Sequence, residues 1–450
     1  MSAHFFAPPS PSYEPTLRSS ACRLATTALL LLLLPLGGCG DDPAGDDVDT
    51  EDACDESLTP IVLVHGFLAS GDTWASFGQR FAANGWCADA IIPYDWDSLD
   101  RAADPIPALD SLIDAALART GATQVWLAGH SAGGGVGYDY LSDDTRAGKV
   151  GAYAHIGSFV QEAPAGAPTL HLYSTDDRTV TEQGDIPGAT NVALSGVDHY
   201  GVATSAAAFA TVFEHFTGAL PAVTDVPSSA VRLVSGRALA LGTNTPVPNT
   251  TVNIWRLDAV TGARLQAEPD VALQTDAAGY WGDFQAEEGA HYAFRILDPE
   301  TPDVPVTYYF EPFSRTNAWV YLRTLPPPGT IAGLLLSVLP LNGDSAVHVN
   351  FTRSTGVIAG VDSLTVNGIE LLSEDTASPD DTTIAMFLFD DGDGESSAAA
   401  SGALAAFPFL AGADVAVPAG DVIEVRYNDR VLRARALSPA EGGVTITVFD

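Results

Sequence analysis

The stretch Val125–Gly135, "VWLAGHSAGGG", sets a single hydroxyl between an apolar run and a cluster of glycines. An apolar run of this length that ends at glycine reads as a buried strand, and the small residues after it open a helix without side-chain collision. A serine at that junction is either a packing residue or a nucleophile held on a tight turn. The residues around it decide which.

Apolar strands and amphipathic helices alternate from 59 to 217. "TPIVLVHGF" reads as a buried strand. "TWASFGQRFAANG" follows as a helix with Trp74, Phe77 and Phe81 on one face and Asn84-Gly85 as its stop. "ADAIIPYDW" is the next strand, and "PALDSLIDAALART" places Leu109, Leu112, Ile113, Ala116 and Leu117 at helical spacing. "TQVWLAG", "VGAYAHIG" and "TLHLYS" are further strands. "SAAAFATVFEHF" closes the region with Phe209, Val212, Phe213 and Phe216 on one face. Such alternation specifies a parallel sheet wrapped by helices.

After a linker at 219–229, "LPAVTDVPSSA" in its context, the apolar period becomes two and no convincing helix appears. "AHYAFRIL" and "VTITVF" alternate as strands, and Asn367-Gly368 and Asn428-Asp429 mark two hairpins. This half is all-β. "TLPPPGT" suggests a boundary between two β units, 230–325 and 326–450, although one composite barrel fits the pattern as well. The first unit, with Thr275, Asp276, Gly279 and Trp281 in a Thr-Asp-x-x-Gly-x-aromatic turn, resembles the transthyretin-like or carboxypeptidase-regulatory-like sandwich. That resemblance implies a small sandwich and no chemistry.

Gly129-His130-Ser131-Ala132-Gly133 matches G-x-S-x-G in its confirming context, strand before and helix after. Residues 58–218 are similar to a compact bacterial α/β-hydrolase lipase, with "VLVHGF" as its oxyanion loop, "GHSAGG" as nucleophile elbow, "LYSTDDRTV" as acid loop and "GVDHYGV" as histidine loop. The order Ser, Asp, His is that family's own. The resemblance implies Ser131 as nucleophile, His199 as general base and Asp177 as the acid that orients it. Asp177 is chosen over its neighbour Asp176 because the family's aspartate stands three residues before a valine, here Val180. Asp198 reads as structural. His65 and His130 belong to the loop and elbow motifs, His155 and His171 sit within strands, and His215 lies in the last helix. The oxyanion donors implied are the backbone N–H groups of Phe67 and Ala132. Between Ser131 and Asp177 there is no space for a long helical lid, and the β half is expected to cover the site, as the C-terminal β domain of similar lipases shapes acyl-chain binding. Surface binding or spacing from a membrane is the other reading of the β half.

At the N-terminus, "RLATTALLLLLLPLGGC" carries Arg18 and Arg23 before an apolar run too short to span a bilayer comfortably, so residues 1–38 read as a signal peptide. Leu36-Gly37-Gly38-Cys39 resembles the lipobox of bacterial lipoproteins. This implies lipid attachment at Cys39 and, with Gly40 following, an outer-membrane or cell-surface location; an ordinary signal peptide and secretion is the alternative. The aspartate-rich segment within 39–57 reads as an extended acidic tether. With Cys22 lost and Cys39 lipidated, Cys54 and Cys87 remain to form a disulfide in an oxidising compartment.

The net charge is -37, and removing residues 1–38 still leaves 18 basic against 56 acidic side chains. Such a surface repels nucleic acid and anionic membrane faces. "FDDGDGESS", with Asp390, Asp391, Asp393 and Glu395, reads as a charged exposed turn in preference to a calcium loop. No cofactor motif appears, and no histidine or cysteine cluster has metal-ligand spacing. The expected activity is that of a serine lipase or esterase on neutral, apolar carboxylic esters such as acylglycerols. A polyester depolymerase or thioesterase would use the same groups, and a non-catalytic anchored binding protein is the reading outside enzymes.

Overall fold

Strand β1 (Ile61–Val64) shows how the first half is built: Ile61 and Leu63 point to one side, Val62 and Val64 to the other, and all four are fully buried. A strand with two buried faces must lie between two layers. In the computed structural model, which describes residues 54–450 other than 300–303, 328, 342, 403 and 405–408, it lies inside a six-stranded parallel sheet. The others are β2 (Ile91–Tyr94), β3 (Val125–His130), β4 (Val150–Ile156), β5 (Thr169–Ser174) and β6 (Thr190–Leu194), in the order β2-β1-β3-β4-β5-β6. The signal segment, Cys39 and most of the acidic tether lie outside the described residues.

Helices α1 (Ala75–Ala83) and α6 (Ala206–Thr217) cover one face. There Phe77 and Phe81 pack edge-on against Phe209. On the other face lie α2 (Ile106–Thr120) and α3 (Ala132–Leu141), burying Leu109, Ile113 and Tyr140. Two single turns, α4 (Asp144–Ala147) and α5 (Gly201–Thr204), complete this half. The result is the α/β-hydrolase architecture. β1 and β3 are neighbours while the chain runs through β2 between them, so a crevice opens at their carboxyl ends, where open α/β sheets place their ligands. Cys54 and Cys87 form the expected disulfide, beside a bridge of Asp55 to Trp86. β6 is absent from the sequence reading. It is a partly exposed edge strand, "TNVAL", without the apolar run that marks its neighbours.

The second half contains β7 (Leu233–Ala240), β8 (Thr251–Leu257), β9 (Val271–Gln274), β10 (Tyr280–Gln285), β11 (His291–Ile296), β12 (Val306–Phe310) and β13 (Leu322–Thr324). It continues with β14 (Val347–Thr352), β15 (Leu364–Val366), β16 (Ile369–Glu370), β17 (Thr383–Phe389), β18 (Phe409–Asp414), β19 (Val422–Tyr427), β20 (Arg430–Arg435) and β21 (Val444–Phe449). Both hairpins form where the turn residues place them: β15 pairs with β16 around Asn367 (φ 50°) and Gly368 (φ 84°), and β19 with β20 around Asn428 (φ 53°).

Two sequence expectations need correction. The boundary near 326 divides the chain but not the sheets: β8, β9, β11 and β12 share one eight-stranded sheet with β14, β17, β18 and β21. The C-terminal β21 enters it between β12 and β14, parallel to both. Period two identifies a strand and says nothing of its neighbours, so this composite was invisible locally. The half is also not free of helix. α7 (Ile331–Leu336), capped by the Thr330 hydroxyl accepting from Gly333 N–H, and α8 (Pro439–Gly442) are short turns below the length at which periodicity registers.

The linker is pinned to the first half, with Arg80 Nε donating to Thr224 O and Asn84 Oδ1 accepting from Ala222 and Val223 N–H. Trp319 of the β half is buried in the same core as Phe77 and Phe81. It lies so close to Gly78 that a Cβ there would meet its ring at 2.5 Å. The described residues therefore form one compact unit. Among the described residues no helix is long and apolar enough to cross a membrane.

Candidate active site

Ser131 stands at the end of β3 with φ 54° and ψ -123°, a backbone state that non-glycine residues rarely hold. Its neighbours make the turn possible. A Cβ on Gly129 would fall 2.3 Å from Gly133 O, and one on Gly133 would fall 2.4 Å from the carbonyl oxygens of Val64 and His65, so strand, helix and the loop after β1 approach only because these are glycines. Ser131 N–H donates to Ile156 O at 2.9 Å, fastening the turn to β4. Ser131 ends up at the carboxyl end of the sheet beside the loop after β1, with a Cβ built on Gly66 falling 3.0 Å from its own Cβ.

His199 is buried, and its Nδ1 lies 2.7 Å from Asp177 Oδ2. Asp177 Oδ1 accepts from Thr179 N–H at 2.8 Å and Val180 N–H at 2.9 Å. Burial alone pushes this carboxyl up. The hydrogen bond and charge of His199, together with those two N–H groups, outweigh it and hold Asp177 below the usual carboxylate range. Asp176 does not meet His199: its Oδ2 accepts from Gly196 N–H at 2.7 Å and pins the turn after β6. His199 Nε2, the atom that would face a nucleophile, has no hydrogen-bond partner among the described residues, so no bond to Ser131 Oγ is formed. Such contacts commonly tighten only in the substrate complex.

His130, read from sequence as an elbow residue, has a positional role as well. Its Nε2 lies 2.9 Å from His199 O, and the two rings are 4.7 Å apart. Burial, then the nearby His199, hold its pKa down to about 3, so it stays neutral and donates to that carbonyl. His155 and His171 face each other across β4 and β5, Nδ1 to Nδ1 at 3.0 Å, apart from the Asp177–His199 pair. His215 lies on α6, its Nε2 3.3 Å from Pro168 O.

Phe67 lies in the loop after β1, and Ala132 begins α3. Neither backbone N–H donates a hydrogen bond among the described residues. A cavity of about 130 Å³ opens beside Phe67 and Leu68, walled on the far side by Leu335, Leu336 and Leu339 in and after α7 and by Val349, Phe351 and Phe387 of the large sheet. Phe409 touches both regions: it lines the cavity and stacks on His199 at 5.9 Å, with 12° between the planes. The β half reaches this region elsewhere too. Arg323 pairs with Asp72 and Ser70 in the segment after β1, and Asp198 accepts from Gly356 N–H at 2.6 Å. Among these, only Asp198 was singled out from sequence, as structural. Arg323, Gly356 and Phe409 lie more than a hundred residues from their partners, and nothing local marks them.

In the acidic turn, Asp390 and Asp391 approach Asp414, not Asp393 or Glu395. Asp390 and Asp414 are occupied in accepting backbone N–H groups of Gly392, Gly394, Asp391 and Ser397, which is the work of a turn.

With this geometry in view, the family model for the lipase C-terminal domain matches residues 229–327, and a second C-terminal-domain model matches 350–438. Among solved structures the chain is similar to a protein described as a predicted CIB-like hydrolase from Thermoplasma acidophilum, at 17% identity over 34% of this chain and 82% of that one, TM-score 0.27. A Bacillus licheniformis lipase is similar in its mature form at 15% identity over 34% of this chain and 89% of that one, TM-score 0.28. In its propeptide form the match covers 54% of this chain and 75% of that one at 15% identity, TM-score 0.31. The family model thus makes residues 229–327 similar to the C-terminal domain of lipases.

Proposed function

We propose that this protein is an extracytoplasmic serine ester hydrolase acting on neutral, apolar carboxylic esters such as acylglycerols. The observation that carries the reading is the buried Asp177–His199 pair at 2.7 Å; the strained elbow at Ser131 and the apolar cavity lined by Phe67 and Phe409 support it. In this reading His199 Nε2 takes the Ser131 hydroxyl proton as Oγ attacks the ester carbonyl. The tetrahedral oxyanion is held by Phe67 and Ala132 N–H, and the protonated imidazole then donates to the departing alcohol. Water repeats the sequence on the acyl-enzyme, with His199 again as base. Asp177 keeps the proton on Nδ1 so that Nε2 is the acceptor. The cavity takes the acyl chain, which gives the β half a role in substrate binding.

The N-terminal readings extend this proposal: a signal peptide over 1–38, a lipid on Cys39, the acidic tether, and an outer-membrane or cell-surface location. Metabolic labelling with a radioactive fatty acid tests the anchor, and an unlabelled Cys39 removes it. The activity is tested by hydrolysis of p-nitrophenyl esters from acetate to palmitate by the full-length processed protein, with Ser131→Ala as blank. Turnover absent from the blank is expected. A folded protein that turns over no chain length refutes the reading.

A further inference from the structure

Gly66 C=O and Phe67 N–H belong to one planar peptide, so whatever holds the oxygen aims the hydrogen. What holds it is His65, fully buried, with Nδ1 2.8 Å from Gly66 O. A carbonyl can only accept, and burial lowers the imidazole's pKa and keeps it neutral, so Nδ1 carries the proton and Nε2 must be an acceptor. Trp96 N–H donates to Nε2 at 3.2 Å, and the carboxamide nitrogen of Asn244 lies against the same atom at 3.2 Å. Asn244 comes from the β half, in the turn after β7, 179 residues away in sequence.

Three features fit Asn244 to this position. It is buried, and it holds φ 54°, a conformation that asparagine tolerates better than most residues. The two hydrogens of its Nδ2 go to Ala69 O at 2.8 Å and Trp96 O at 2.9 Å, carbonyls on either side of His65. Trp96 closes the ring, its indole N–H donating to His65 O at 3.0 Å. A single carboxamide thus ties Ala69, just beyond Phe67, to Trp96 in the loop after β2, and so holds in place the Trp96 N–H that meets Nε2 of the histidine clamping the Gly66–Phe67 peptide.

Resting on the ester-hydrolase reading, we infer that Asn244 is a positioning residue for the oxyanion hole, acting through His65 on Phe67 N–H, so that the β half completes the catalytic geometry as well as the cavity. Transition-state stabilisation should then depend on a side chain outside the hydrolase half.

The test is Asn244→Gly in the full chain, which removes the carboxamide without introducing strain at positive φ. Loss of a whole oxyanion donor costs about 10²–10³ in kcat. A misaimed donor should cost part of that: a fall in kcat of about tenfold or more, with KM within about threefold. An alkylboronic acid, whose tetrahedral serine adduct places an oxygen in the hole, should lose affinity by the same factor as kcat/KM. Asn244→Asp, which sets a carboxylate oxygen against two carbonyl oxygens, should lose more. If Asn244→Gly does not fold, Asn244→Ser retains one donor and is read by the same paired loss. Unchanged kcat in folded Asn244→Gly overturns the inference. So does a reduced active fraction, counted by fluorophosphonate labelling, in which the surviving enzyme keeps its boronate affinity, because that is a stability effect alone. A wild-type protein with neither turnover nor labelling at Ser131 overturns the ester-hydrolase reading, and this inference with it.

Discussion

Replacing Asp177 with asparagine should abolish turnover by reversing a tautomer, and the neighbouring hydrogen bonds dictate the direction. Asp177 Oδ1 accepts from two backbone donors, Thr179 N–H at 2.8 Å and Val180 N–H at 2.9 Å. An asparagine must keep its oxygen there, since the flipped rotamer would press an NH₂ group against two N–H groups. Its nitrogen then occupies the place of Oδ2, 2.7 Å from His199 Nδ1. Facing a donor, Nδ1 becomes the acceptor and the proton moves to Nε2, the atom that takes the proton from Ser131 in the proposed mechanism. The equivalent change in serine proteases lowers kcat about 10⁴-fold, close to 5.5 kcal/mol of transition-state stabilisation. The assay is kcat on a p-nitrophenyl ester for Asp177→Asn and Asp176→Asn side by side, with thermal unfolding as the check on folding. Asp176→Asn should keep kcat within about threefold, because Asp176 only pins Gly196. Retention of more than a tenth of wild-type kcat by Asp177→Asn, or an equal loss in Asp176→Asn, would refute the assignment.

The remaining predictions concern the cavity, the disulfide and the buried histidines. Leu336→Trp, which pushes an indole into the cavity, should lower kcat/KM for a twelve-carbon ester about tenfold or more and leave the acetate ester unchanged; an equal loss on both would mean the cavity is not the acyl site. Replacing Cys54 and Cys87 by serine frees a 33-residue loop and should cost roughly 4 kcal/mol by loop-closure entropy, read from the urea midpoint; a loss below about 1 kcal/mol contradicts that. Burial brings the pKa values of His130, His155 and His348 down from 6.5 to about 3. Below 6.5 the unfolded chain therefore binds protons that the folded chain refuses, so their contribution to stability is whole above that pH and is lost as pH falls toward 3. Each histidine contributes up to about 1.4 kcal/mol per pH unit, together about 4 kcal/mol per unit, and denaturant titrations at pH 7, 6 and 5 should show it; a flat profile would refute neutral burial.

The sequence by itself determined whatever depends on near neighbours. The elbow at Ser131 was legible because a strained turn between strand and helix demands small residues at fixed offsets, and Gly129 and Gly133 supply them. The faces of α1, α2 and α6 followed from a 3.6-residue period, and the Asn367-Gly368 hairpin from the positive φ its turn requires. The choice of Asp177 came from a three-residue spacing to Val180, and the structure shows why such spacing matters: Val180 N–H is one of the donors that orient the carboxylate. The tertiary structure alone decided the rest. β6 escaped because an edge strand need not be apolar, and α7 because a turn and a half carries too little period. The composite sheet depends on β21 choosing β12 and β14 as partners, and period two is blind to that choice. Asn244 is one asparagine in a turn until the fold brings it against His65, Ala69 and Trp96. Local sequence encodes local conformation, whereas a buried carboxamide acquires its role from carbonyls and an imidazole that only the packing of the two halves places within reach.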